Sequence, residues 1–144
     1  MKQRRYDSMY MDVADRMSQM SYAIRAKVGT VIEKDGAIIS HGWNGQPAGM
    51  DNACEYREVA PRGQMGELVT KPTVMHAEAN AIVKLARSGV CSDGATAYVT
   101  LEPCVNCAKL LHGAGIKRVV YRDAYRDHSG VELLKELNVQ VEQL

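Results

Sequence analysis

Three side chains in the second half of the sequence have the types and the spacing of metal ligands. They are His76 and the Cys-x-x-Cys pair formed by Cys104 and Cys107. Zinc prefers four ligands in a tetrahedron, and a catalytic zinc ion takes three from the protein and keeps the fourth position for water. Coordination lowers the pKa of that water toward about 7. One histidine and two cysteines therefore predict a catalytic zinc site.

Glu78 lies two residues after His76, and its place relative to the metal depends on the local backbone. Residues two apart on an ideal helix point to nearly opposite sides, so only a half-formed first turn lets both side chains reach the metal. The cysteines, three apart at the expected start of another helix, share a face, and the helix N-terminus favours a thiolate. Taken alone, the Cys-x-x-Cys pair also fits a redox pair. The histidine and glutamate upstream favour zinc.

Helices and strands that alternate along the chain are expected to position these residues. The apolar patterns predict helices at residues 6–24, 76–88, 104–112 and 130–137 and strands at 28–32, 37–40, 95–101, 116–121 and 139–141. Asp35-Gly36 predicts a hairpin turn between the first two strands, and residues 45–73 form a predicted long loop. Strands alternating with helices predict a three-layer α/β/α sandwich around a mixed sheet of about five strands, with parallel pairing in the second half.

Composition places the chain among globular proteins. It has 144 residues, 46% of them hydrophobic, and 18 basic against 17 acidic side chains, so residues 1–144 are expected to form a single domain. The net charge of only +1 means that the chain has no overall excess of basic side chains of the kind that nucleic-acid-binding proteins show. No apolar run reaches the roughly 20 residues that span a bilayer, and the first dozen residues are too polar for a secretory signal. We therefore expect a soluble, cytoplasmic protein whose partners include neither nucleic acid nor a membrane.

Taken together, these motifs match the pattern of a known family. His-x-Glu followed by Pro-Cys-x-x-Cys is the signature of the zinc-dependent nucleobase deaminases. Over nearly its whole length the sequence resembles the cytidine deaminase-like superfamily, and most closely the deoxycytidylate (dCMP) deaminases. The matching segments are residues 27–32, 42–45, 76–82 and 100–109. Trp43 stands where the family usually has tyrosine. The resemblance implies the cytidine deaminase-like form of the α/β/α fold.

The resemblance also implies the roles of the chemically active residues. His76, Cys104 and Cys107 bind zinc, and Glu78 shuttles protons without binding the metal. During attack at C4 of cytosine, N3 must gain a proton and the leaving amine needs another, and one carboxylate serves both transfers. The implied reaction is the zinc-dependent hydrolysis of dCMP to dUMP and ammonia, which supplies dUMP for thymidylate synthesis.

A nucleotide substrate further needs cations and hydrogen-bond donors about one nucleotide length from zinc. Arg25, just before the first strand, is the first candidate for the 5′-phosphate, and Arg122 and Arg126 are candidates to assist it. The residues expected by resemblance to contact the substrate are Asn44 (a sugar hydroxyl), Ala77 and Tyr125 (the phosphate). Asn44 also fits a turn residue, an alternative that the sequence leaves open.

The resemblance further implies a homohexamer that dCTP activates and dTTP inhibits. Glycine lets backbone N–H groups approach a triphosphate closely. The expected effector contacts are Gly42, Gly45, Gly49 and Asp51. Asp51 or Glu55 would help to hold a Mg²⁺ ion that bridges the phosphates. The alternative for this segment is a mobile lid or a plain surface loop.

Two other functions stay open at this point. A tRNA adenosine deaminase shares both motifs, although a polyanionic RNA favours a more basic surface than a net charge of +1 provides. A non-catalytic zinc scaffold fits the three metal ligands, but a purely structural site has no use for Glu78. Turnover of cytosine to uracil distinguishes these alternatives.

Overall fold

The computed structural model describes residues 1–144, which contain seven strands and four helices. The strands are β1 (Gly29–Lys34), β2 (Ala37–Trp43), β3 (Glu55–Arg57), β4 (Leu68–Thr70), β5 (Thr96–Leu101), β6 (Arg118–Asp123) and β7 (Gln140–Gln143). The helices are α1 (Lys2–Ser18), α2 (Ala77–Ser88), α3 (Val105–Gly113) and α4 (Ser129–Glu136). Five strands form one sheet in the order β2-β1-β5-β6-β7, and β3 and β4 form a separate hairpin.

The strand directions follow the pattern that the alternation of elements predicts. Strand β1 pairs antiparallel with β2 and with β5, whereas β5, β6 and β7 run parallel. Between β1 and β2, Asp35 and Gly36 adopt φ angles of 52° and 83°, as a two-residue type I′ hairpin turn requires. The predicted hairpin, the mixed five-stranded sheet and its parallel second half are confirmed.

Neighbouring residues on the central strands face opposite layers of the molecule. On one face of the sheet, Val31 and Tyr98 pack with Ala14 of α1. On the other face, Ile32 and Ala97 belong to a core that includes residues of α2, α3 and α4. Side chains that alternate along each strand thus bury both faces of the sheet. The predicted three-layer α/β/α sandwich is confirmed.

The prediction of a helix at residues 6–24 is wrong at both ends. Helix α1 starts earlier, at Lys2, and ends at Ser18. Met20 and Ile24, which continue the apolar spacing of the sequence, lie beyond the helix and are 49% and 76% exposed. Even α1, the longest helix with 17 residues, lacks the length and apolar character of a membrane-crossing helix, and so do the others.

Close contact between α1 and β1 explains this difference. A Cβ atom on Gly29 would lie 1.9 Å from the carbonyl oxygen of Ala14, so the helix and the strand touch at their backbones. Large apolar side chains do not fit at this contact, where the small Ala14 and the polar Ser18 lie, whereas Tyr10 and Met11 are buried earlier in the helix. The spacing of large apolar residues in the sequence therefore continues past Ser18, where the helix ends.

Residues 45–73 contain more regular structure than the predicted loop. The short strands β3 and β4 pair antiparallel within this segment, with Glu55 opposite Thr70. Strands of three residues are too short to display a period of two in the sequence. The other predicted helices and strands are all present, with boundaries that differ by up to three residues.

The sheet topology brings distant segments to one edge. The parallel strands β5 and β6 end at this edge, and the antiparallel strand β1 begins there. Ligand sites of open α/β sheets lie at the carboxyl ends of such strands. Arg25 before β1, Cys104 after β5 and Tyr125 after β6 consequently line one cavity.

Candidate active site

A cavity of 420 Å³ opens at this edge of the sheet. Its volume lies within the roughly 300–1,000 Å³ typical of small-molecule sites. Its lining includes eight residues predicted to act in catalysis, metal binding or substrate binding: Arg25, Asn44, His76, Ala77, Glu78, Cys104, Tyr125 and Arg126. Residues from both halves of the chain therefore meet where the sequence predicts a site.

The three predicted metal ligands lie together beside the cavity. The Nδ1 atom of His76 is 3.5 Å from the Sγ atom of Cys104 and 3.3 Å from that of Cys107. The three ligand atoms all lie within 4.8 Å of one another. Tetrahedral zinc, with Zn–N near 2.0 Å and Zn–S near 2.3 Å, places N and S ligands about 3.5 Å apart. The donor set and its spacing thus fit a zinc ion.

Two of these ligands sit at the start of a helix, and local backbone structure explains their positions. His76 is the N-cap residue of α2, with φ −70° and ψ 156°. Cys104 is the N-cap residue of α3, with φ −72° and ψ 167°. Both residues are extended, whereas Cys107 lies in the first turn of α3. The unpaired N–H groups and the dipole at each helix N-terminus favour negative charge near the metal.

The cysteines already differ in their affinity for a proton. Hydrogen bonds with Cys107 and His76 lower the pKa of the Cys104 thiol to about 3. The hydrogen bond with Cys104, together with burial, raises the pKa of the Cys107 thiol well above its usual range. One thiolate therefore forms beside the imidazole, and a divalent cation supplies the positive charge that stabilises a second thiolate.

Glu78 reaches the same cavity from the first turn of α2. Its side chain is buried, with the residue 4% exposed, and burial raises the pKa of its carboxyl group. Because His76 precedes the helix and has an extended backbone, the two side chains do not point to opposite sides as they would inside a helix. His76 and Glu78 both line the cavity, as expected if the start of the helix lets both side chains face the same site.

Arg25 is held at the cavity by contacts from β3 and β4. The Oε1 atom of Glu55 accepts hydrogen bonds from the backbone N–H groups of Ile24 (2.9 Å) and Arg25 (3.3 Å). The guanidinium of Arg25 donates a hydrogen bond to Oγ1 of Thr70 over 3.2 Å. The hairpin that the sequence does not reveal thus positions the cation predicted for phosphate.

Asn44 supports the adjacent segment with its side-chain amide. Its Oδ1 accepts a hydrogen bond from the N–H of Val28 (2.9 Å), and its Nδ2 donates to the carbonyl oxygen of Ala26 (2.8 Å). These bonds match the turn-residue alternative. Asn44 also lines the cavity, and its Nδ2 carries a second proton that is available to a ligand.

The other candidate cations lie in different surroundings. The Arg126 guanidinium is 5.4 Å from the ring centre of Tyr125, within the range of a cation–π contact, and both residues line the cavity. Arg122 instead forms ion pairs with Asp15 (2.7 Å) and Asp123 (3.0 Å). The suggestion that Arg122 assists phosphate binding is therefore wrong, because its guanidinium is already committed outside the cavity.

The four predicted effector residues do not form one glycine-rich anion site. Gly42 is buried beneath α2, where a Cβ would lie 2.4 Å from the carbonyl oxygen of Ala77, so packing explains this glycine. The N–H of Gly45 donates to the carbonyl oxygen of Met75 over 3.1 Å. The N–H of Gly45 is therefore already paired, and Gly42 is buried. Gly49, with a φ of 94°, and Asp51 lie exposed in the same segment.

Sequence reasoning assigns no role in catalysis or substrate binding to Glu55, Thr70 or Glu102, which also line the cavity. The first two lie in strands too short to give a pattern. Glu102 is a buried acid that directly follows β5, within the motif that carries Cys104. A charged residue at the end of a buried strand is the one signal that points to it.

Comparisons with known proteins agree with this geometry. The family model of the cytidine and deoxycytidylate deaminase zinc-binding region matches residues 4–123. The deoxycytidylate deaminase of Enterobacteria phage T4 is 36% identical over 155 residues, covering 82% of this chain and 78% of the relative. That of Mycobacterium phage D29 is 36% identical and covers 81% and 93%. The crystal structure of dCMP deaminase from cyanophage S-TIM5 in complex with dCMP and dUMP is 40% identical, with a TM-score of 0.86 over 97% of each chain.

Proposed function

The chain belongs to the cytidine and deoxycytidylate deaminase family, and from this premise we propose that it hydrolyses dCMP to dUMP and ammonia with zinc as its cofactor. The observation that carries the proposal is the metal-binding set of His76, Cys104 and Cys107 beside the buried carboxyl of Glu78. Such a product serves thymidylate synthesis. A cytoplasmic location stays a prediction.

Glu78 is the residue that moves protons in this reaction. When bound by His76, Cys104 and Cys107, zinc supplies Lewis acidity and an activated water. Glu78 takes the proton of the attacking water and passes it to N3 of the cytosine ring. It later carries the second proton of the same water to the departing amine as the C4–N bond breaks, so that dCMP and water give dUMP and ammonia. Because its carboxyl group is buried, bulk water does not compete for these protons.

The phosphate end of the substrate is assigned to the cationic and tyrosine side chains that line the cavity. Arg25 is the main candidate, held by Glu55 and Thr70, and Tyr125 and Arg126 lie on the segment after β6. A charge-assisted hydrogen bond to a dianion contributes about 1.5–3 kcal/mol, or about ten- to hundredfold in kcat/KM. Asn44 and the backbone at Ala77 are the candidates for the sugar and the base.

A substrate panel tests the proposal. The zinc-loaded protein is assayed for kcat/KM with cytidine, deoxycytidine, CMP, dCMP and a tRNA anticodon stem. We expect dCMP to react best, about ten- to hundredfold faster than deoxycytidine. Equal values for these two would overturn the assignment of a nucleotide substrate. Turnover of the tRNA stem alone would identify an RNA deaminase, and no turnover at all would identify a zinc scaffold.

We also propose regulation by dCTP as activator and dTTP as inhibitor, with Mg²⁺ bridging the phosphates. Gly49 and Asp51 are the supporting residues, because both are exposed in the segment that leads from Asn44 toward His76. Typical coupling changes affinity by about 5–150-fold. dCMP saturation curves with and without each effector, in Mg²⁺ and in a magnesium-free buffer, measure this coupling. Superimposable curves would contradict it.

A homohexamer is the proposed assembly. Apolar side chains that follow α1 support an association surface, since Met20, Tyr22 and Ile24 are 49%, 68% and 76% exposed. Light scattering at micromolar concentration is expected to give the mass of six chains. A monomer under these conditions would contradict the proposal.

A further inference from the structure

A buried carboxylate lies directly behind the turn that carries Cys104. Glu102 precedes that turn, and its side chain is 1% exposed. Its two carboxylate oxygens lie 2.8 Å and 3.1 Å from Nδ1 of His128, the N-cap residue of α4. Burial and the adjacent Glu102 carboxylate also raise the pKa of Tyr121. Since a buried carboxylate is costly unless it is paired, the contact with His128, beside the neighbouring Tyr121, offsets the cost of burying it.

The backbone around this pair is equally constrained. The N–H of Glu102 donates to the carbonyl oxygen of Asp123 over 2.8 Å. A Cβ on Gly130 would lie 2.2 Å from the carbonyl oxygen of Pro103 and 2.7 Å from the carbonyl carbon of Cys104. The start of α4 therefore presses directly on the peptide that precedes α3, and little movement of Cys104 is possible while this contact persists.

We propose that Glu102 and His128 form a clamp that fixes Cys104 for zinc binding. The clamp rests on the assignment of Cys104 as a zinc ligand, made in the proposed function. Glu102 is a positioning residue, because both of its carboxylate oxygens face His128 and its backbone leads directly into the turn that carries Cys104. The clamp also ties the metal-binding turn to residues 124–127, which carry Tyr125 and Arg126.

Because His128 is exposed, the clamp can be tested by substituting this residue. Its side chain is 58% exposed, so replacing it removes the partner of Glu102 without opening a cavity in the core. Asparagine places its Nδ2 donor near the position of the imidazole Nδ1 and is a favoured N-cap residue. His128→Ala therefore breaks the clamp, whereas His128→Asn retains the hydrogen bond to Glu102.

The test is the rate at which the zinc-loaded protein releases zinc to a chromogenic chelator. His128→Ala is expected to release zinc about tenfold or more faster than the wild type, as for other residues that support metal ligands, and His128→Asn to restore most of the difference. The matched control is His112→Ala, since His112 is exposed at the end of α3. Circular dichroism verifies that each variant is folded.

Two results would overturn the clamp: a wild-type release rate in His128→Ala, or equal acceleration in His128→Ala and His128→Asn. Zinc release needs no substrate, so the clamp stands or fails independently of which nucleotide is deaminated. If the wild type binds zinc but does not turn over dCMP, the proposed function fails while the release rates still decide the clamp.

Discussion

Glu55 fixes the backbone of Arg25 although the two residues lie far apart in the sequence. One carboxylate oxygen of Glu55 accepts hydrogen bonds from the N–H groups of Ile24 and Arg25, and Thr70 opposite Glu55 holds the guanidinium. The hairpin of β3 and β4 therefore determines where the candidate phosphate-binding cation points.

Glu55→Ala is expected to reduce the preference of the enzyme for dCMP over deoxycytidine. Without its two backbone hydrogen bonds the Arg25 segment loosens, which costs about 0.5–1.5 kcal/mol, or about threefold to tenfold, in kcat/KM for dCMP. Deoxycytidine, which has no phosphate, is expected to react at an unchanged rate. The ratio of the two kcat/KM values measures the effect. Glu67→Ala, an exposed acid in the same segment, serves as the control, and an equal ratio in both variants would contradict the role of Glu55.

Gly42→Ala is expected to destabilise the fold where α2 crosses β2. The added methyl group would lie 2.4 Å from the carbonyl oxygen of Ala77 and 2.8 Å from the backbone nitrogen of Ala81. Overpacking against backbone atoms costs about 1–3 kcal/mol, to be measured as the free energy of unfolding in urea. Gly113→Ala adds a methyl group that meets nothing within 4 Å. Similar losses in both variants would argue against the close contact.

Acid is expected to weaken the ion pair between Asp7 and Arg118. Both oxygens of Asp7 accept hydrogen bonds from Arg118, at 2.8 Å and 2.7 Å, and Tyr98 donates a third. The hydrogen bond with Arg118 lowers the pKa of Asp7 from 3.8 to about 2. The unfolded chain therefore binds this proton more tightly, and about 2 kcal/mol of stability, complete above about pH 5, is lost as the pH falls toward 2.

Comparison with Asp7→Asn isolates this contribution. Both proteins share every other titrating group, including the metal ligands, so the difference in their free energies of unfolding reports Asp7 alone. That difference is expected to shrink by about 2 kcal/mol between pH 6 and pH 2. A difference that stays constant over this range would show that the pKa of Asp7 is not lowered.

The metal site was predictable because it is encoded in short segments. His76 and Glu78 are neighbours in one motif, Cys104 and Cys107 in another, and each motif starts a helix. Residue type, spacing and helix position are all visible in the sequence. The alternation of strands and helices likewise predicts the layers and the parallel half of the sheet.

The contacts that support the site were not predictable in the same way. Glu55 and Thr70 reach Arg25 across 30 and 45 residues, and no local period encodes such a pairing. Asp7, which resembles a surface residue in the sequence, is buried because Arg118 lies opposite it, 111 residues away. Because Asp7 is polar yet buried, it interrupts the apolar period near the N-terminal end of α1, so the period does not reveal that the helix starts at Lys2.

Turnover of dCMP by Glu78→Gln, at a zinc content equal to that of the wild type, is the most direct test of the proposed reaction. The amide keeps the shape of the carboxyl group but cannot act as a general acid or a general base. Zinc is expected to remain bound while kcat falls by about 10²–10⁴-fold, the usual contribution of an acid–base group. Glu136→Gln, an exposed acid on α4, is expected to retain wild-type activity. Wild-type turnover by Glu78→Gln would contradict the mechanism.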